Sequence, residues 1–419
     1  MKHFLAPLIV LCPLFIGSVA AQKRIYIPED LRGMDLQADS SQWSYRRCAQ
    51  TDDVAFFWER GFGNDPGNPP TLDGKPMKFS LPTLMQRVQQ FYTFFRDTLH
   101  FVKGDSKANR YKMMVMVQYS LDGTAYGGTY DNFIGALWVA PNRIQDTTMN
   151  CMAHELGHSF QTQIMADSMG EAWGGSGFFE MTSQWMLWQV NPWWLRDENY
   201  HFEAFKTLTH KAYLSLDNIY HSPYVIQWWS DLHGRASIAE LYRQGRRGED
   251  PVITYKRMYG MRQGEFNDEM FRGYQHLVNF DFNHARRETR PYACTFTTRL
   301  DTLAGGWMRP HDVPEAYGFN AIQLPLRPVT HIQLQGDNLR YGFVGVTTTG
   351  ECLYSQVNAT SFTVPKGKLL SHLYLLVMGA PLQHRMLPMP TGHHPTAENQ
   401  PQQFPYRFRI VGDAAADGR

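Results

Sequence analysis

Charged residues are scarce in this sequence. Only 19% of the 419 residues are Asp, Glu, Lys or Arg, and 40 basic residues against 39 acidic ones leave a formal net charge of +1. Nucleic acids and anionic membrane surfaces are bound through clustered positive charge, so neither is expected as a partner. Hydrophobic residues make up 43% of the chain and aromatic residues 14%, a composition that excludes a disordered protein and predicts a large folded core.

Long hydrophobic runs are also missing, apart from one at the start of the chain. Lys2 precedes the run FLAPLIVLCPLFIG, and small residues follow it up to Ala21. The run is interrupted by two prolines and is shorter than the roughly 20 apolar residues that span a bilayer. This pattern is typical of a secretory signal peptide at residues 1–21. We therefore expect a mature chain without a transmembrane anchor that is secreted, periplasmic or located at the cell surface.

Cysteine is rare, and four cysteines remain after the signal peptide: Cys48, Cys151, Cys294 and Cys352. None of them forms a CxxC or Cys/His pattern of a structural zinc site. Four cysteines allow three complete pairings, and the sequence does not choose among them. A disulfide between Cys294 and Cys352 and a set of four buried free thiols both remain open.

The chain divides by composition into three parts after the signal peptide. Residues 22–75 are polar and rich in turn residues. Residues 76–300 combine short apolar runs at 111–119 and 127–141, which predict strands, with helical apolar spacing from Leu81 onward and again at about 203–290. Residues 301–419 consist of short β-rich segments separated by Gly and Pro, which predict an antiparallel β-sandwich. The expected fold class is therefore α+β.

The segment DTTMNCMAHELGHSFQTQIMAD, residues 146–167, carries the clearest chemical signal. Its apolar residues recur every three or four positions, which predicts one helix with Asp146 as the N-cap. His154 and His158 are then one turn apart on the same face and can bind one metal ion. Glu155 can reach a metal-bound water. The pattern HExxH therefore predicts a zinc site with two ligands and a general base.

A catalytic zinc ion needs a third protein ligand. The extended pattern HExxHxxGxxH is absent, which leaves two candidate carboxylates downstream. Glu180 lies in SGFFEMTSQWMLWQ, an apolar segment that predicts a buried helix, and Glu171 lies in the glycine-rich GEAWGGSG. We favour Glu180 because a helix holds a ligand more rigidly than a loop does.

These motifs resemble the gluzincin metallopeptidases, which pair HExxH with a Glu from a second helix. The sequence is also similar to a family of secreted bacterial zincin-like proteins with a C-terminal β-domain. The resemblance covers residues from about 50 to 412 and rests on these stretches: HELGHSFQ, FFEMTSQW, EFNDEMF, PEAYGFNAIQL, LYLLVMGAP and FPYRFRI. It implies a zincin-like metallopeptidase domain at residues 76–300, with a small mixed sheet, active-site helices and a helical subdomain.

The resemblance also implies roles for individual residues. Zinc would be bound by His154, His158 and Glu180, with Glu155 as the general base. The strand GALWV (135–139) would be the edge strand against which an extended substrate pairs. In thermolysin-like gluzincins the ligand Glu follows an Asn and is followed four residues later by an Asp, whereas here Phe179 and Gln184 stand at those positions. Gln184 can still orient a ligand imidazole, but the match to that subgroup is lost.

No motif identifies the side chain that would stabilise an oxyanion. The stretch YHSPYVIQWW offers three candidates, Tyr220, His221 and Tyr224. The function predicted from the sequence is a secreted zinc metallopeptidase that hydrolyses extended peptides or glycoproteins. Two alternatives remain open: a non-catalytic surface or glycan-binding protein that retains a zincin fold, and zinc-assisted hydrolysis of a non-peptide bond.

Overall fold

The computed structural model describes residues 22–171, 173, 177–387 and 400–411. The predicted signal peptide lies outside the described residues. Among the described residues, no helix combines the length and apolar character needed to cross a membrane. Cys48, Cys151, Cys294 and Cys352 are free thiols. Cys294 and Cys352 lie close together. The side chain of Asn279 is hydrogen-bonded to the Sγ atoms of both, at 3.4 and 3.1 Å.

A mixed five-stranded sheet forms the first part of the fold. Its strands are β1 (Cys48–Gln50), β2 (Val54–Trp58), β3 (Met113–Val117), β4 (Ala125–Tyr130) and β5 (Ile134–Val139), in the spatial order β1-β2-β3-β5-β4. The central strands β2, β3 and β5 are parallel, and β1 and β4 pair antiparallel at the two edges. Parallel strands covered on both faces need continuous apolar runs, as in VAFFW and MMVMV. Part of the segment predicted to be turn-rich, residues 22–75, therefore belongs to this sheet.

The run at residues 127–141 was predicted to be one strand and is instead part of a hairpin, β4 followed by β5. The chain reverses at Asp131 and Asn132, which both have positive φ angles (51° and 48°). Asp and Asn tolerate this left-handed conformation better than other side chains. The prediction that GALWV (135–139) is the edge strand is wrong, because β5 pairs with β3 on one side and with β4 on the other. The edge strand is β4.

Two long helices, α1 (Leu81–Asp97) and α2 (Asn150–Ala166), pack against this sheet, and a third, α3 (Phe178–Val190), packs against α2. The helical apolar spacing predicted from Leu81 onward is confirmed, since the residues of this stripe are buried: Leu84, Val88, Phe91 and Phe95 in α1, and Leu99 just after it. Helix α2 begins at Asn150 and not near Asp146. The Asp146 carboxylate accepts a hydrogen bond from the backbone N–H of Met149, which has a left-handed conformation (φ 53°). Asp146 therefore stabilises the loop before the helix, and the first helical turn starts later.

A helical region follows and connects the first sheet to the C-terminal part. It consists of α4 (Trp194–Asp197), α5 (Asn199–Leu208), α6 (Tyr224–His233), α7 (Ala236–Gln244), α8 (Pro251–Met258), α9 (Gln263–Leu277) and α10 (Arg286–Thr289). The helical spacing predicted for residues 203–290 is therefore confirmed. Helix α9 contacts the C-terminal sheets directly, because Tyr274 stacks on Phe319 with ring centroids 4.2 Å apart.

Two antiparallel sheets complete the described chain. Their strands are β6 (Leu300–Thr302), β7 (Met308–Pro310), β8 (Phe319–Gln323), β9 (Val329–Gln335), β10 (Leu339–Thr347), β11 (Cys352–Tyr354), β12 (Ser361–Thr363), β13 (Leu370–Gly379) and β14 (Arg407–Val411). One sheet has the order β11-β10-β13-β8 and the other the order β12-β9-β14-β7-β6. One apolar cluster joins Phe343 and Leu375 of the first sheet to Phe362 and Phe408 of the second. The fold class is α+β, as predicted, with one mixed sheet and two antiparallel sheets.

Candidate metal centre

The three predicted ligand atoms converge on one point between α2 and α3. His154 Nε2, His158 Nε2 and Glu180 Oε2 are each 3.1 Å from the other two. Two ligand atoms of a tetrahedral ion with bonds of about 2.0 Å are about 3.3 Å apart, so the triangle is close to the size that such an ion needs. The three side chains are mostly buried, with exposed fractions of 12%, 12% and 25%. This is a His-His-Glu group that could hold a metal ion.

Two glutamines determine which nitrogen of each imidazole carries the proton. Gln161 Oε1 is 3.1 Å from His158 Nδ1, and Gln184 Oε1 is 3.2 Å from His154 Nδ1. The amide orientations follow from the other partners, since the Nε2 atoms donate to the backbone carbonyls of Phe179 and Tyr220 respectively. Each imidazole therefore donates its Nδ1–H to an amide oxygen, and each Nε2 directs a lone pair towards Glu180.

The charge at this point also favours a cation. Burial raises the pKa of Glu180, but the neighbouring imidazoles of His154 and His158 lower it more, so the pKa ends well below its ordinary value. Burial lowers the pKa of His158, but the Glu180 carboxylate raises it more, so the pKa ends above its ordinary value. Two imidazole lone pairs and an ionised carboxylate repel one another unless a positive charge lies between them. That charge is either an extra proton or a metal ion.

Glu155 follows the first ligand on α2 and is buried. In the described part of the chain its carboxylate takes part in no hydrogen bond, although its backbone carbonyl accepts one from Ser159. The carboxylate lies close enough to raise the pKa values of both His158 and Tyr220. It is therefore available to accept a proton from a water molecule at the centre.

The three residues predicted as candidates for oxyanion stabilisation, Tyr220, His221 and Tyr224, lie at different places relative to the metal centre. Tyr220 lies beside the centre: its ring centroid is 6.2 Å from that of His154, and burial and the Glu180 carboxylate raise its pKa to about 12. Its side chain is 44% exposed, so a ligand can reach it. His221 contacts His201, with 2.8 Å between the two Nδ1 atoms. His201 and Gln184 therefore lie between His221 and His154. Tyr224 is only 2% exposed and packs against Phe205 in the core.

The competing ligand candidate, Glu171, is not part of the His-His-Glu group. It is exposed, and its backbone N–H donates to the carbonyl of Gly245 at 3.0 Å. Gln161 was missed in the sequence. It lies three residues after His158 on the same face of α2, and this spacing is the signal that could have identified it.

The edge strand β4 lies directly against the helix that carries the ligands. A Cβ atom at Gly127 would collide with the backbone carbonyl of Glu155 and would lie 2.9 Å from Cβ of His158. Only glycine allows this close approach. The position of β4 relative to α2 therefore depends on one residue without a side chain.

We expect Gly127→Ala to destabilise the fold by about 2 to 4 kcal/mol, because backbone atoms must move to make room for the methyl group. Urea unfolding of the metal-free protein measures this loss. Gly33→Ala is the matched control, because a Cβ atom at Gly33 would have no heavy atom within 4 Å. Equal stability of the two variants would contradict the described contact between β4 and α2.

Comparison with known proteins places the chain in a family. A model described as a family of unknown function, DUF6055, matches residues 17–416. The chain belongs to the DUF6055 family. A search of curated proteins finds no match to this DUF6055 protein.

Among solved structures, the DUF6055 protein is similar to the ZmpB metallopeptidase from Clostridium perfringens. The identity is 14%, the alignment covers 80% of this chain and 67% of that chain, and the TM-score is 0.32. A TM-score this low is compatible with different topologies, so the comparison assigns neither a fold nor an activity to the DUF6055 protein.

Proposed function

We propose that this DUF6055 protein is a secreted zinc-dependent metallopeptidase with a zincin-like domain of the gluzincin type and a C-terminal β-sandwich. The observation that carries the proposal is the convergence of the Nε2 atoms of two imidazoles and one carboxylate oxygen at mutual distances of 3.1 Å. Nitrogen and carboxylate donors in this number are the set that catalytic zinc sites use. The signal peptide predicted at residues 1–21 supports export. The proposed domains are residues 76–300, together with strands β1 and β2 that share their sheet, and residues 301–419.

The chain's own residues supply the other parts of a hydrolytic site. His154, His158 and Glu180 would hold zinc, which supplies polarisation of a substrate carbonyl and of water when bound. Glu155 takes the proton from the attacking water and later delivers it to the leaving amine. Tyr220, which lies beside the centre, would donate a hydrogen bond from its hydroxyl to the carbonyl oxygen as negative charge develops on it. Its raised pKa keeps the hydroxyl protonated at neutral pH.

The edge strand supports a polypeptide substrate. In the described residues β4 pairs with β5 on one side only, so its other side presents backbone N–H and C=O groups. An extended peptide can pair with such an edge. Because β4 lies against the backbone of Glu155, a peptide paired there would pass close to the proposed zinc site. The proposed substrates are extended peptides or glycoproteins.

The test combines metal analysis with a cleavage assay. The chain from Gln22 onward, purified with zinc, is expected to contain one zinc ion per molecule by mass spectrometry. It is also expected to cleave a proteome-derived peptide library, and a chelator should abolish this cleavage. A protein that carries one zinc ion and cleaves no library member would contradict a peptidase, and a protein that binds no zinc would contradict the metal centre itself.

We expect Tyr220→Phe to lower kcat by roughly 10²-fold with little change in zinc affinity, because the hydroxyl acts mainly on the developing oxyanion. Steady-state kinetics on a cleaved peptide measures this effect. Tyr224→Phe is the matched control: it removes a buried hydroxyl that has no hydrogen-bond partner in the described chain. A kcat for Tyr220→Phe equal to that of Tyr224→Phe would remove Tyr220 from the mechanism.

A further inference from the structure

A buried chain of hydrogen bonds leads away from the metal centre through Gln184. Its Oε1 atom is 3.2 Å from His154 Nδ1. Its Nε2 atom is 2.9 Å from the backbone carbonyl oxygen of Tyr220 and 3.1 Å from His201 Nε2. One amide therefore contacts a ligand of the proposed metal, the backbone of the proposed oxyanion residue and a histidine on α5. Both Gln184 and His201 are buried.

The proton positions in this chain follow from the Tyr220 carbonyl, which can only accept a hydrogen bond. Gln184 Nε2 is therefore the NH₂ group, and its second hydrogen points to His201 Nε2. His201 Nε2 must be unprotonated in order to accept it. The single proton of a neutral His201 then lies on Nδ1 and is donated to Nδ1 of His221, at 2.8 Å.

The surroundings of His201 are consistent with this neutral form. Burial, the neighbouring His221 and then His154 lower the pKa of His201 to about 4. One carboxylate is close: Glu198 Oε2 is 3.6 Å from His201 Nε2, beyond hydrogen-bonding distance. Both oxygens of Glu198 already accept hydrogen bonds, from Asn150 Nδ2 at 3.1 Å and from Trp194 Nε1 at 2.8 Å. Gln184 is therefore the hydrogen-bond partner of His201 Nε2.

We propose that His201 is a positioning residue of the metal centre, whose unprotonated Nε2 holds the Gln184 amide so that Oε1 faces His154. Without this acceptor, one amide hydrogen of Gln184 loses its partner in a buried place, and rotation of the amide becomes less costly. Rotation would turn an NH₂ group towards the Nδ1–H of His154 and would release the Tyr220 carbonyl. His201 thus affects both zinc binding and the place of Tyr220. The inference rests on the proposed metal centre.

The ring of His201 also packs against the ring of Tyr200, with centroids 4.2 Å apart. Two substitutions therefore distinguish the loss of the hydrogen-bond acceptor from the loss of this packing. His201→Gln keeps an acceptor oxygen near the position of Nε2, and His201→Met keeps the approximate size without an acceptor. We expect His201→Met to weaken zinc binding about 10-fold, the lower end of the range for groups that orient metal ligands. The zinc dissociation constant of His201→Gln is expected to stay within about 3-fold of the wild-type value. This change is small compared with the roughly 10- to 100-fold effects of groups that orient metal ligands.

The measurement is the zinc dissociation constant from competition with a chromophoric chelator. His284→Met is the matched control, because His284 is also buried but is bonded to the backbone carbonyl of Trp188, with 2.9 Å from its Nε2 to that oxygen. This control should bind zinc as the wild type does. Equal zinc affinity of His201→Met and His201→Gln, whether both are weakened or neither, would overturn the positioning role. A wild type that binds no zinc would instead overturn the proposed metal centre.

A second measurement does not depend on a folded variant or on activity. The ¹⁵N NMR signals of the histidine side chains in the metal-free wild type report which ring nitrogen carries the proton. We expect His201 to be protonated at Nδ1 and unprotonated at Nε2 at neutral pH. Protonation at Nε2 would contradict the inferred hydrogen bond from Gln184 and would overturn the proposal even if His201→Met does not fold.

Discussion

Replacing Glu155 with Gln is expected to lower kcat for peptide hydrolysis by roughly 10³-fold, within the range that general acid–base groups contribute. The amide has nearly the shape of the carboxylate but cannot accept the proton of the attacking water. The zinc ligands do not change, so zinc content and affinity should remain those of the wild type. Kinetics on a cleaved peptide and metal analysis of the same preparation measure both quantities.

Glu171→Gln is the matched control for this loss of a carboxylate. Glu171 is exposed and lies outside the His-His-Glu group, so the substitution should change neither kcat nor zinc content. If Glu155→Gln hydrolyses peptides as fast as the wild type, Glu155 is not the base and the proposed mechanism is wrong. If Glu155→Gln loses zinc, its effect on kcat carries no information about proton transfer, and Glu155 has instead a role in metal binding.

Replacing Glu180 with Ala is expected to weaken zinc binding by more than roughly 100-fold, the upper limit for residues that only orient ligands. The substitution removes one of three ligand atoms and the negative charge that the two imidazoles face. Zinc at 1,000 times its dissociation constant should stabilise the wild type by about 4 kcal/mol and should stabilise Glu180→Ala much less. Thermal unfolding with and without zinc measures this difference.

The same unfolding experiment decides between the two carboxylates that the sequence offered. Zinc should stabilise Glu171→Ala as strongly as the wild type, because Glu171 is exposed and its described hydrogen bond involves only the backbone N–H. Loss of the zinc effect in Glu171→Ala and its retention in Glu180→Ala would reverse the assignment of the third ligand.

The parts of the site that lie within one helix could be predicted from the sequence. The spacing of His154 and His158 determines their relative position as soon as the segment is helical, and Gln184 follows Glu180 by one turn for the same reason. The stripe of α1 was predictable because its apolar residues repeat at helical spacing. The spacing of residues along the sequence is sufficient for these predictions, because they do not depend on long-range contacts.

The parts that depend on long-range contacts were missed. The start of α2 differs from the prediction because Asp146 bonds the N–H of Met149 in a loop and not in the first helical turn. The resemblance implied that GALWV in β5 is the edge strand, but the chain reverses at Asp131 and Asn132 and places β4 outside it. His201 had no local signal, since its importance comes from a contact with Gln184, 17 positions away in the chain.

Both ligand imidazoles are oriented by glutamine amides and not by carboxylates. A carboxylate partner would add negative charge and make the imidazole a stronger electron donor, whereas a neutral amide orients the ring without this effect. Among the three ligands and the two amides, only Glu180 carries a formal negative charge. A divalent ion bound there would keep one positive charge that its protein ligands do not compensate. If the centre holds zinc as proposed, the ion would be a strong Lewis acid, suited to polarising a weakly reactive carbonyl such as that of an amide.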